Sequence, residues 1–304
     1  MQDKSLKSRI TAGRFTLPVA SLMAAGGWVL SGEWHTGWPM ACMFLTAYLL
    51  VLLNNCYSLI RVRASLQSSI YLMLTGSCAW LHHPVSGWYT GVAFVLSLFL
   101  FFRCYRHPEP QADLFHSFLV LGIGILCWPP LLILVPCYGV GAYFFQAIHL
   151  RSVAASVTGL LLPCICYLGY AYYTDSIPQA LEHLQTDLLF PGTGWEHIST
   201  QQWAIWGYLM LLFIVSTFHL LTHSYDEKYA TRSRLHFLLI IHLLFFALSL
   251  LQPAWMANLL CLLPIGVSIL AGHYFVLSPG RFARYFFLFM LALLACLSVD
   301  SLWR

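Results

Sequence analysis

An all-α bundle of about eleven membrane-crossing helices, with a cytoplasmic N-terminus and an external C-terminus, is the fold class this sequence predicts. Three observations carry it. Of 304 residues, 60% are hydrophobic and only 9% charged, against roughly 25% charged in a soluble domain; the mean hydropathy is +0.74. Apolar stretches near the roughly 20 residues that span a bilayer follow one another along most of the chain. When these are placed as alternating crossings, every Lys and Arg except Arg304 falls on one side. A β-barrel is not expected, because runs such as "LHFLLIIHLLFFALSLL" show no period-two alternation.

The first span, 15–31, follows Lys4, Lys7, Arg9 and Arg14 and lacks a small-x-small cleavage site, so it is expected to remain as an anchor. The second (37–59) and third (66–82) are joined by a turn carrying Arg61 and Arg63. Arg103 and Arg106 close the fourth, 87–105. The fifth (112–128) and sixth (131–148) meet at Trp128-Pro129-Pro130, which reads either as a tight joint or as one broken helix. Arg151 precedes the seventh, 153–173. The eighth (203–222) and ninth (235–251) bracket Lys228, Arg232 and Arg234, and the tenth (254–274) and eleventh (283–302) bracket Arg281 and Arg284. Because basic residues stay in the cytoplasm, this pattern sets the orientation, and the net charge of +4 says nothing about nucleic acid.

The external loop 174–202 carries Asp175, Glu182, Asp187 and Glu196 without a Lys or Arg. Within it, "DSIPQALEHLQTDLLF" reads as a short amphipathic helix: Asp175 or Ser176 caps it, Pro178 suits its first turn, and Ile177, Leu181, Leu184 and Leu188 share a face. It is expected to serve as a packed connector or as a lid. The whole chain is expected to be one integral membrane domain, 1–304. A weak parallel repeat relates 37–128 to 203–302, since an offset of about 171 residues superposes two inner turns, Arg61-Val-Arg63 on Arg232-Ser-Arg234 and His107-Pro108 on Ser278-Pro279.

Residues able to do chemistry are few. Among acidic residues only Asp113, at the very start of the fifth span, and Asp300, near the outer end of the last, lie inside expected spans, which argues against a carboxylate relay. Histidines gather at the inner helix ends: His116, His149, His219, His223, His236 and His273, with His242 deeper. His219 and His223 are four apart and share a helix face, so with His236 they are the candidates for a metal, although the several tight His boxes of membrane oxygenases are absent and no metal or cofactor is expected. Ten cysteines without a CxxC read as reduced packing residues. Glu33, in the first external loop with His35, is the lone carboxylate that an enzyme acting on lipid-linked sugars would use there.

Candidate substrate-binding residues are Asn54, Asn55, Tyr138, Tyr143 and Tyr167. Asn54 lies seven residues before Arg61, about 10 Å along a helix. Both asparagines therefore sit in hydrocarbon and need partners, either across the hairpin at Ser65, Gln67, Ser68 and Ser69 or on a bound molecule. The tyrosines make the sixth and seventh helices rich in hydroxyl-bearing rings.

At "RFTLPVA", "LNNCYSLIRVRASLQSSIYLML" and "HLRSVAASVTGLLLP" the chain resembles a group of polytopic inner-membrane proteins of Bacteroidota-type bacteria that have no established activity. The resemblance implies a bacterial inner membrane and supplies neither a reaction nor site residues. Three functions stay open: a carrier for a hydrophobic or amphipathic substrate, with a cavity among the second to eighth helices; a membrane enzyme acting on a lipid or lipid-linked sugar; and a scaffold subunit of an envelope complex. Lipids are the expected partners, with any protein partner drawn from the envelope.

Overall fold

The computed structural model describes residue 13 and residues 15–32, 37–60, 65–83, 85–188, 195, 198–223, 227–278 and 280–303. Among these every regular element is helical. In chain order the α-helices are α1 (Thr16–Leu30), α2 (Gly37–Tyr57), α3 (Leu66–Gly76), α4 (Gly87–Phe101), α5 (Gln111–Cys127), α6 (Leu134–Phe144), α7 (Leu150–Tyr173), α8 (Ile177–Leu188), α9 (Thr200–His223), α10 (Tyr229–Leu251), α11 (Met256–Leu277) and α12 (Arg281–Trp303). Each expected apolar span contains a helix, and α8 is the expected amphipathic one.

Among the described residues, seven segments are long and apolar enough to cross a membrane: α2, α4 with its following turn, α7, α9, α10, α11 with its preceding turn, and α12. That is the mark of a multi-pass membrane protein. Lys4, Lys7, Arg9, Arg14, Glu33, His35, Arg61, Arg63, Glu196 and Arg304, which carried part of the expected charge map and the external carboxylate, lie outside the described residues, as does the side chain of Asp187.

Prolines set the joints. Trp128 precedes Pro129, and the proline ring forces the residue before it out of the helical region. Its φ is −150° and its ψ 95°, so α5 ends and a 3-10 turn (Pro129–Ile133) leads into α6. Gln252, before Pro253, does the same ahead of α11 (φ −131°, ψ 85°). The indoles of Trp128 and Trp255 then meet edge to face, 6.1 Å between centroids.

The expected third span is interrupted. α3 stops after 11 residues, only about 16 Å at 1.5 Å per residue, and a separate 3-10 turn covers Ala79–His82. Here α1 crosses α3 backbone to backbone: a Cβ on Gly27 would overlap the Gly76 carbonyl, and one on Gly76 would overlap Ala24. Apolar residues continue past Gly76, so hydropathy alone runs the helix on.

α11 is the central helix, with 94% of its apolar window buried. Pro264 removes a donor from its hydrogen-bond ladder, and two residues further on His242 of α10 inserts against its backbone. Its Nδ1 lies 2.8 Å from the Leu238 carbonyl, which can only accept, so Nδ1 carries the proton. Nε2 is thereby free to accept the Gly266 N–H at 2.9 Å. Gly266 has no side chain because the imidazole occupies that space.

α7 lies at the other extreme, with 11% of its window buried. It packs on α5 through Gly122, Gly159 and Pro163; a Cβ on Gly159 would overlap the Phe115 carbonyl. α8 packs on the end of α7 and on the Pro129–Ile133 turn, the position of a connector that covers helix ends.

Candidate functional site

Asn54 is buried at the last turn of α2. The chain reverses just beyond it through Ser58, whose φ is +49°, and the Asn54 Oδ1 accepts the Ile60 N–H at 2.9 Å. One of its partners is thus the backbone just beyond its own helix. Asn55 faces outward. Tyr138 is fully buried, its hydroxyl 3.0 Å from Ser97 Oγ, which also bonds Ser117 and ties α4, α5 and α6 together. Tyr143 is 71% exposed and Tyr167 is half-buried on α7. Neither cavity described next is lined by any of these five residues.

The larger cavity, about 440 Å³, lies among α1, α3, α9, α11 and α12, within the roughly 300–1,000 Å³ of small-molecule sites. Its place differs from the expected one among the second to eighth helices: the first and last helices, α1 and α12, supply much of its lining. Met23, Met73, Leu212, Phe275, Met290 and Leu294 carry much of the wall. Of the three hydroxyl-bearing residues in its lining, Thr16, Ser69 and Tyr208, two donate to protein carbonyls: Ser69 to that of Ser65 at 3.0 Å, and Tyr208 to that of Met290 at 3.2 Å. The wall therefore suits hydrocarbon. Methionines make such a wall adaptable, since an unbranched thioether repacks easily. A smaller cavity of about 190 Å³ lies between α5, α6 and α7.

Next to the larger cavity stands a polar tier. Phe275 lines the cavity and packs on Tyr274 (5.1 Å between centroids), and Tyr274 packs on His219 (5.0 Å). His219 stacks on His223 at 4.6 Å and lies 6.3 Å from His273. His273 Nε2 is 3.6 Å from the Glu227 carboxylate, both side chains being 4% exposed. Gln67, one residue from the cavity-lining Leu66, packs its backbone against Gly272. Both atoms of its buried amide, and the buried hydroxyl of Ser216, have no hydrogen-bond partner among the described residues.

No protein-family model, curated protein or solved structure matches the chain. The chemistry of the tier rests on its own geometry. His219 and His223 come together as their spacing predicts, and His273 joins them; His236 has no ring contact with the three among the described residues. No three His, Cys, Asp or Glu side chains among the described residues are placed to share a metal ion, and Asp226 lies outside those residues. Glu227, which follows the HxxxH pair closely in the sequence, is not among the candidate site residues read from it. It sits in a connection, where a carboxylate is normally solvated, yet folds under the helix ends onto His273. The acidic pair Asp226-Glu227, directly after a helix carrying HxxxH, is the signal that pointed there.

Proposed function

We propose that this protein is a carrier for an amphipathic, long-chain molecule, in the inner membrane of a bacterium. The cavity beside the polar tier is the observation that supports this: an apolar cavity lined by α1, α3, α9 and α12 would take the chain, and the polar tier, reached from it through Phe275 and Tyr274, lies close by for the head. The orientation belongs to the same proposal, with eleven crossings, the N-terminus cytoplasmic and the C-terminus external, and it rests on the basic residues. The inner membrane rests on the resemblance of the hairpin phrases.

A parallel repeat suits a carrier whose halves rock against each other. In its favour, α2 packs on α4 as α9 packs on α11. α4 also meets α11 close to the expected register: the Gly87 N–H donates to Asn258 Oδ1 at 2.8 Å, a separation of 171 residues.

Filling the cavity tests the carrier reading. Met290→Trp is expected to lower retention of co-purified lipid, measured by mass spectrometry of the purified protein, by about tenfold, the equivalent of 1.4 kcal/mol. Unchanged retention in a folded variant removes the cavity from the proposal. A second reading, a lipid-modifying enzyme, is favoured by the buried His273–Glu227 pair, which has the makings of an acid–base couple. Conversion of a labelled lipid by the wild type, lost in Glu227→Gln, would put the enzyme first.

A further inference from the structure

We infer that Arg106, Arg232 and Arg234 form a binding site for the phosphate group of an anionic lipid, separate from the cavity. The three arginines come from the turn after α4 and the first two turns of α10, and tyrosine rings interleave them. Arg232 lies over Tyr229 at 5.1 Å, and Arg106 over the same ring at 5.4 Å. Arg106 also lies over Tyr105 at 5.7 Å, and Arg234 over Tyr105 at 5.4 Å and Tyr57 at 4.7 Å. Ring faces hold guanidinium groups without neutralising them. The nearby carboxylate, Asp113, is engaged by Arg103 at 3.3 Å, and among the described residues no carboxylate lies within ion-pair distance of Arg106 or Arg234. One Arg234 nitrogen donates to the Phe102 carbonyl at 3.1 Å, while its buried Nε has no acceptor among the described residues.

A second observation is independent of the rings. Arg106 has a φ of +51°, a left-handed conformation that costs a non-glycine residue energy. It is held there by its own N–H, which donates to the Phe145 carbonyl at 3.0 Å. The backbone is thus fixed in a strained shape that carries the guanidinium over Tyr105 and Tyr229.

Arg106 and Arg234, with no carboxylate at ion-pair distance among the described residues and at the rim of an apolar bundle, suit a group with several anionic oxygens at membrane-surface height. Guanidinium donates to phosphate through paired N–H groups, which a lysine at the same place could not do. A lipid headgroup is the source favoured by this place, because the three arginines lie where apolar helices end.

The test uses the purified full-length chain in detergent, with phosphatidylglycerol as probe and bound lipid counted by native mass spectrometry. Arg106→Gln, in an exposed turn, is expected to lower retention by about fivefold, the effect of one cationic residue at a membrane surface, and Arg234→Gln similarly. Arg281→Gln removes the same charge outside the tier and is expected to leave retention unchanged. Equal losses in all three variants, or none in Arg106→Gln, overturn the inference. So does stabilisation of the wild type by inorganic phosphate as strong as that by the lipid, which would make the ligand a soluble phosphate.

Discussion

His242 shows how one side chain can stand in for backbone. Pro264 removes a donor from the ladder of α11, and two residues further on the Gly266 N–H finds its acceptor on an imidazole from the neighbouring helix. Removing that acceptor leaves a buried donor unsatisfied, and a cavity beside it. His242→Ala is therefore expected to destabilise the protein by about 1–3 kcal/mol, seen as a lower melting temperature in detergent. His242→Gln, which keeps an acceptor, should recover part of the loss; identical melting of wild type and both variants would mean that Gly266 does not depend on this bond. Asn54 works at the same scale, accepting from the chain that has just reversed past it. From sequence, an amide seven residues before the turn arginines read as hairpin glue ahead of a pocket wall, but its partner was not legible, because the Ile60 N–H is placed only by how the turn closes.

Among elements, α7 depends on one line of contact. A Cβ on Gly159 would overlap the Phe115 carbonyl, and one on Gly122 would lie 2.8 Å from the Leu160 carbonyl. Gly159→Leu is expected to separate α5 from α7 and to cost at least about 2 kcal/mol, since overpacking without room to relax costs that order. The measurement is folded yield by size-exclusion chromatography, with Leu161→Ala on the exposed face as a control that keeps its yield. The joints at Pro129 and Pro253 were legible in the sequence because a proline acts on its immediate neighbours. The end of α3 was not, because it comes from α1 crossing at Gly27 and Gly76, two residues far apart in the chain. The polar tier was half legible for the same reason: His219 and His223 meet through helical spacing alone, while His273 and Glu227 reach them only through the packing of α9 on α11.

For the whole molecule, orientation is the property that the basic residues bear on most directly. A C-terminal alkaline phosphatase fusion is expected to be active and a C-terminal green fluorescent protein fusion dark, as an external terminus requires. The reverse pair of signals would overturn both the orientation and the odd number of crossings. Burial is distributed unevenly across the molecule, from 94% of the window of α11 to 28% of that of α12 and 11% of that of α7. The imidazole of His242, seated in the backbone of α11, also acts as a mechanical pin. Neither α10 nor α11 can rotate or slide past the other without withdrawing it, so the two behave as one rigid body. Any widening of the chamber then has to come from its lightly packed far wall, α12, swinging away from a stationary frame to which α1 is tied by its close crossing of α3.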